Sequence, residues 1–520
     1  MEFVAFNNLN MMSYVSIGSA TLLALWIVHF VFRWKNPRCN GRLPPGSMGL
    51  PFLGETFEFF SPNTTTDISP FVRKRMERYG PVFRTSLVGR PVVVSADPDV
   101  NYYVFQQEGK LFQSWYPDTF TEIFGRDNVG SLHGFLYKYL KSLVLRLYGP
   151  ENLKDVLLSE VDKSCCSNLS TWSSKPSIEL KEAISTMIFD LTAKKLISYE
   201  PSDESESLRK SFVAFIRGLI SFPLNIPGTA YHDCMQGRKR AMKVLKSMLD
   251  ERRNSPAERK CEDFFDHVIE ELKKEKPVLT ETIALDLMFV LLFASFETTS
   301  LALTHGMTYL TNNPKVLKEL TEEHETILRN RENPDSGITW KEYKSMKFTF
   351  QVGETVLILH KLLSMVDGRI IFLGLTCSVS YLALKVIYEI VRLANIVPGI
   401  FRKALQDIEI KGYTIPAGWG VMVCPPAVHL NPEIYEDPLT FNPWRWQDKP
   451  EITGGTKQFM AFGGGLRFCV GADFSKSLMA VFLHCLVTKY SWKAIKGGNT
   501  VRTPGLGFPD GFHIQLIPKA

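Results

Sequence analysis

The first strong pattern in the chain is an unbroken apolar run at residues 14–32 (YVSIGSATLLALWIVHFVF), with no acid, lysine or arginine in it. Its length is close to the ~20 residues that a bilayer-spanning helix needs. Arg33, Lys35, Arg38 and Arg42 follow directly. Basic residues on one flank keep that flank on the cytoplasmic side. The pattern therefore predicts residues 1–33 as a single-pass membrane anchor with the bulk of the chain in the cytosol. Glu2 stands near the start without a Lys or Arg, which argues against a cleaved signal peptide with a basic leading region. Residues 34–51 are first basic and then rich in proline and glycine, ending in Leu43-Pro44-Pro45-Gly46-Ser47-Met48-Gly49-Leu50-Pro51. Proline fixes φ and removes a donor, so this hinge is predicted to continue no helix, to pair in no sheet, and to act as a semi-rigid spacer.

From residue 52 to residue 520 the periodicity is mostly helical. Apolar positions recur at helical spacing over 208–219, 238–253, 262–274, 280–311 and 475–487. Short runs at 82–87, 91–95, 408–410 and 420–423, bounded by Gly and Pro turns, read as strands. With no internal repeat and no break in composition, the expectation is one large domain, mainly α with a small β-sheet region, preceded by one N-terminal transmembrane helix.

Composition narrows the class. Hydrophobic residues make up 45% and charged residues 22% of 520, which excludes a disordered, collagen-like or disulfide-stapled chain. A net charge of +6 is too weak to imply nucleic acid and suits only a mild attraction to lipid head groups or an acidic protein. The nine cysteines are unevenly spaced and include no CxxC pair, so they read as reduced thiols, most of them small buried hydrophobes.

One cysteine stands apart. Phe462-Gly463-Gly464-Gly465-Leu466-Arg467-Phe468-Cys469-Val470-Gly471 leads into a helix-like run from Ala472. A thiolate that ligates iron needs its charge partly offset, and a loop entering a helix aims N–H groups and a positive dipole end at the sulfur. Glycines let the backbone approach closely. Phe462 can shield the thiolate, and Arg467 can reach a haem propionate. An isolated cysteine in a Gly-rich loop is ordinarily structural, but the spacing FxxGxRxCxG points to a ligand. In the 280–311 segment, Glu297-Thr298 lies within LMFVLLFASFETTSLAL, where an acid needs a reason to be buried.

At these residues the sequence resembles the cytochrome P-450 superfamily, and the resemblance runs from anchor to C-terminus. The hinge is similar to the PPGxxGxP hinge of microsomal members. Ala294-Ser295-Phe296-Glu297-Thr298-Thr299 is similar to [AG]Gx[DE]T[TS], Glu389-Ile390-Val391-Arg392 to ExxR, and Phe441-Asn442-Pro443-Trp444-Arg445-Trp446 to FxPxRW. The resemblance implies the cytochrome P-450 fold and haem b held by the Cys469 thiolate, within a cradle that includes Phe462, Gly465, Arg467 and Gly471. It implies that Glu297 and Thr298 relay protons to bound dioxygen. Glu389, Arg392 and Arg445 become a structural trio behind the haem, and Arg402 stands in position for the second propionate. Tyr137 and Lys141, at i and i+4, look like an altered form of the WxxxR propionate pair. Ser295 replaces the usual glycine and is expected to narrow the oxygen groove.

The segments 112–124, 131–141 and 393–401 are closest to plant microsomal members of family 87, near the brassinosteroid-related clan. That implies a sterol, steroid or triterpenoid substrate, hydroxylated or successively oxidised with side-chain cleavage. It also implies O2 and NADPH as co-substrates, NADPH-cytochrome P-450 reductase as partner, a monomeric catalytic domain, and residence in the endoplasmic reticulum membrane. Two other readings stand beside this one. A haem-thiolate hydroperoxide isomerase or dehydratase would not need the Glu297-Thr298 pair. An inactive product would follow if residues 353–385, which separate Phe350-Gln351-Val352 from the Glu389 helix, are a retained intron or gene-model error.

Overall fold

The computed structural model describes residues 2–64, 66–125, 127–199, 203–219, 221–254, 263–333, 336–346, 382–446 and 455–519. All but the last residues of the 353–385 segment lie outside the described residues.

Helix α1 (Glu2–Lys35) contains the whole apolar run. Its side chains Leu22, Leu23, Trp26 and Val28 are exposed, a surface that only lipid or another apolar phase would cover. Trp34 ends it by donating its indole N–H to the Met48 and Gly49 carbonyls, at 3.2 Å each. The hinge differs from the sequence expectation, since it does pair: Gly46 bridges Arg84, whose backbone N–H donates to Pro45 O at 2.8 Å. Pro44 and Pro45 lack donors but keep their carbonyls, and the Arg84 guanidinium takes the Pro44 carbonyl as well.

A five-stranded sheet follows from β1 (Val82–Leu87), β2 (Arg90–Ser95), β3 (Phe112–Ser114), β4 (Ile400–Ala404) and β5 (Gly420–Val423). Its order is β1-β2-β5-β4-β3. Val88 and Gly89, both at positive φ, make the tight β1–β2 turn. β2 and β5 run parallel, with Val92 opposite Gly420, whereas β4 is antiparallel to both neighbours. The 82–87, 408–410 and 420–423 strands form as read, while β3 and β4 had no distinct period-2 signal.

The main helices are α2 (Pro98–Gln106), α3 (Gly134–Tyr148), α4 (Leu158–Ser173), α5 (Leu180–Ile197) and α6 (Asp203–Leu219), then α7 (Ala230–Asn254), α8 (Glu281–Asn312), α9 (Leu382–Ala394) and α10 (Ala472–Lys489). Helix α8 is apolar on nearly every face and so belongs in the core. Thr280 caps it by accepting from the Ile283 N–H. Aromatic rings fix its packing: Phe296 meets Phe189 of α5 edge-on at 5.3 Å, and Phe289 stacks on Phe212 of α6 at 5.0 Å. Thr299 Oγ1 lies 3.1 Å from Ser475 Oγ, which ties α8 to α10.

Glu389 and Arg392, one turn apart on α9, have fully buried side chains. Arg392 grips the carboxylate with two N–H groups at 2.7 and 2.9 Å. Arg445 Nε, Trp446 Nε1 and the Asn442 N–H donate to the same carboxylate at 2.9, 3.0 and 3.0 Å. Glu389→Ala should therefore cost about 3–5 kcal/mol, because it strands a buried guanidinium. Denaturant unfolding of the purified variant checks this, and a loss under about 1 kcal/mol would contradict the network's role.

Candidate active site

The loop before α10 closes on itself. Cys469 N–H donates to Phe462 O at 3.0 Å, Gly463 N–H to Met460 O at 2.9 Å, and Phe468 N–H to Gly465 O at 3.1 Å. Two glycines are required by shape. Gly465 adopts φ +62°, and a Cβ there would lie 2.2 Å from the Phe105 carbonyl; one on Gly464 would lie 2.6 Å from the Phe105 ring. The loop thus threads against α2 as only glycine allows. Gly471 acts differently, through its backbone N–H, which points at the Cys469 sulfur.

Cys469 has open surface although protein surrounds it. Burial pushes its thiol up; the Gly471 N–H and the ammonium groups of Lys141 and Lys476 oppose this, while Asp473 adds to it. A bound metal cation would reverse the balance by deprotonating the sulfur outright. Phe462 lies beside the loop, 6.3 Å from the Phe468 ring.

Arg467 and Arg402 meet at Glu108. Arg467 Nε is 2.7 Å from Glu108 Oε1, and Arg402 Nε is 2.6 Å from Glu108 Oε2. The second pair has an angle that leaves both atoms without a directed hydrogen bond. Arg402 and Glu108 side chains are each only 3% exposed, so two guanidiniums share one buried carboxylate and a positive charge is left over. Burial accordingly pushes Arg402 down, with Glu108 opposing. An anion would balance this site. Nearby His133 is also pushed down, by burial and then by Arg467.

Tyr137 and Lys141 on α3 join the same region. The Arg467 guanidinium lies 4.1 Å over the Tyr137 ring, a contact worth about 2 kcal/mol when desolvated. Lys141 Nζ donates to Leu466 O at 2.7 Å, so its charge is tied to the cysteine loop. In this structure the pair braces Arg467 and the loop.

On α8, Thr298 Oγ1 donates to Ala294 O at 3.0 Å, and Glu297 Oε2 lies 2.8 Å from Lys181 Nζ of α5. Both side chains line a cavity of about 650 Å³, otherwise walled by groups such as Phe120, Phe124, Phe293, Leu301 and Val397. Ser295 differs from expectation: its hydroxyl lies 3.2 Å from Thr192 of α5, so it packs between helices and not into the groove. The helical turn decides this, since Ala294 and Thr298 share one face at i and i+4 while Ser295 is rotated to the next. Sequence reading missed Glu108 and Lys181. Each acts on a partner far along the chain, and no local spacing marks either.

The donor set fits a haem: a cysteine in a glycine cradle, an N–H aimed at its sulfur, and surplus buried positive charge within reach of carboxylates. A protein-family model for cytochrome P450 matches residues 44–366 and 380–509. Cytochrome P450 87A3 of Oryza sativa subsp. japonica is 71% identical over 95% of this chain and 89% of its own. Cucurbitadienol 11-hydroxylase of Siraitia grosvenorii is 39% identical over 97% of this chain and 99% of its own. Among solved structures, retinoic acid-bound cyanobacterial CYP120A1 has the same fold, with a TM-score of 0.75 at 24% identity, covering 92% of this chain and all of its own. The chain therefore belongs to the cytochrome P450 family, and within it to family 87: it is a haem-thiolate monooxygenase that uses O2 and NADPH-derived electrons delivered by a reductase.

Proposed function

We propose that this P450 oxidises a sterol or triterpenoid, with Cys469 as the thiolate ligand of haem b. The observation that carries the reading is the cavity of about 650 Å³, lined mostly by apolar and aromatic side chains, with Glu297 and Thr298 among the few polar groups in its wall, beside Arg217, Thr119, Ser221 and Thr503. Its size lies within the roughly 300–1,000 Å³ of small-molecule sites. A large, rigid, apolar substrate suits such walls, and a relative is named for hydroxylating cucurbitadienol. Arg402 and Arg467 would hold the haem propionates, in place of part of their shared contact with Glu108. Thiolate-ligated haem, when bound, supplies reductive cleavage of O2, one oxygen going to substrate and the other to water.

The chain's own residues manage protons and water. Glu297 stands between the cavity and Lys181, whose side chain is 24% exposed and reaches toward solvent. A carboxylate that turns from Lys181 toward the cavity can hand over a proton taken from outside. The Thr298 hydroxyl, now donating to Ala294 O, can turn likewise to hold that proton's acceptor. The pairing of Glu297 with Lys181 favours this reading over a hydroperoxide isomerase, which needs no proton supply.

For the setting, we propose an endoplasmic reticulum membrane anchor at residues 1–33, a hinge at 34–51, a cytosolic catalytic domain at 52–520 that works as a monomer, and NADPH-cytochrome P450 reductase as the electron donor. Exposed Leu50, Phe52, Phe57, Leu224 and Ile226, with Phe57 stacked on Phe222, extend the apolar surface from the base of the anchor across the body. Residues 353–385 we take as an insertion in the catalytic domain; the family match leaves out only residues 367–379 of them.

Three outcomes are expected. Cys469→Ala abolishes the red-shifted CO-difference band while far-UV circular dichroism is kept; a retained band would remove Cys469 as ligand. Thr298→Ala keeps the band but lowers product per NADPH roughly 10–100-fold, in assays with a plant reductase fed a sterol and triterpene panel. Conversion of no panel member would overturn the substrate class. Sequencing of spliced transcripts should find few that encode residues 353–385, and deleting them should raise haem content.

A further inference from the structure

Away from the haem site, α4 and α10 bring together four side chains that the reaction does not use. Cys166 Sγ lies 3.4 Å from Cys485 Sγ, Lys489 Nζ 3.2 Å from Cys166 Sγ, and Cys485 Sγ 3.3 Å from Asp162 Oδ1. Residues 162 and 166 are one turn apart on α4, as are 485 and 489 on α10, so two i,i+4 pairs face each other. Cys485 is buried, Cys166 half-buried and Lys489 exposed, so the group opens to solvent at Cys166. The adjacent Cys165 is buried, and burial raises its thiol, which leaves it unreactive.

We propose that Cys166 and Cys485 form a peroxide-reactive dithiol that closes reversibly to a disulfide, stapling α4 to α10, the helix that begins just after the Cys469 loop. Cys166 is the attacking sulfur. Its hydrogen bond with Cys485 and the nearby Lys489 ammonium lower its thiol below the ordinary value, against burial and Asp162. Cys485 is held up by the same hydrogen bond and by burial. The oxidant is hydrogen peroxide or an organic hydroperoxide. The Cys166 thiolate attacks one peroxide oxygen, the O–O bond breaks, and the other oxygen leaves and takes up a proton. Cys166 is then a sulfenic acid. The Cys485 sulfur attacks it, the S–O bond breaks, and the hydroxide leaves as water with the Cys485 proton, which Asp162 is placed to carry. The two thiols lose two electrons together, and the peroxide is reduced. Asp162, Cys166 and Cys485 also lie close enough to hold a cation, but the Lys489 ammonium sits on the open side of Cys166 and repels one.

The test uses the full-length, haem-loaded protein, pre-reduced, with equimolar hydrogen peroxide, followed by alkylation and non-reducing peptide mapping. The expected result is a Cys166–Cys485 cross-linked peptide that a dithiol reductant reverses. Cys485→Ser should trap Cys166 as a dimedone-labelled sulfenic acid. Lys489→Met should slow oxidation about tenfold, because fewer molecules carry the thiolate. The CO-difference band verifies that each variant is folded. The proposal fails if other cysteines oxidise while these two stay free, or if Lys489→Met oxidises at the unaltered rate. It also fails if added zinc binds stoichiometrically and protects both thiols.

Discussion

A single carboxylate with no exposed surface, that of Glu389, organises the half of the molecule that carries the reactive cysteine. It receives two N–H groups from Arg392 and one each from Arg445, Trp446 and Asn442. Charged donors in so dry a place are worth keeping only when every one finds an acceptor. Arg392 gives both Nη1 donors to the His429 and Pro438 carbonyls, at 2.7 and 2.8 Å. Burial, and then Arg392, push His429 down to about 3, so it stays neutral. Its Nε2 can therefore accept from the Met460 N–H at 3.0 Å, and Met460 in turn accepts from Gly463. An unbroken line of hydrogen bonds thus runs from Glu389 to the loop that presents Cys469.

The opposite side of the site is built on a different economy of charge. Glu389 is saturated with donors, whereas Glu108 is shared unevenly by Arg402 and Arg467. Saturation gives rigidity; an uneven share leaves capacity for another anion. The two carboxylates explain how one fold ties a loop through hydrogen bonds and yet keeps positive charge available beside it. Helix α8 is braced against α5 and α6 by aromatic rings and against α10 through Thr299. That bracing fixes Thr298 and Glu297 at the wall of the cavity.

The exposed apolar surfaces have a physical cost of their own. The exposed apolar face of α1 and the exposed residues at 50–57 and near 222–226 would be costly in water. The bridge from Gly46 to Arg84 ties residues 44–46 to the first strand of the sheet.

Much of this was readable along the chain. The apolar run before Arg33, the long helix around Glu297, the Glu389–Arg392 spacing and the glycine-rich approach to Cys469 are all local patterns, and local sterics and periodicity write them into neighbouring residues. The partners of those residues were not readable. Glu108 meets Arg467 across 359 positions, Lys181 meets Glu297 across 116, and Cys166 meets Cys485 across 319. The hinge's isolated bridge to Arg84 and the turning of Ser295 toward Thr192 belong to the same class. The sequence alone determined the apolar run, the long core helix and the glycine-rich loop before Cys469, because capping, patterning and loop shape act over a few residues. Only the tertiary structure decided which charges face each other, because electrostatic pairing depends on distance in space and burial, and neither is encoded by spacing along the chain.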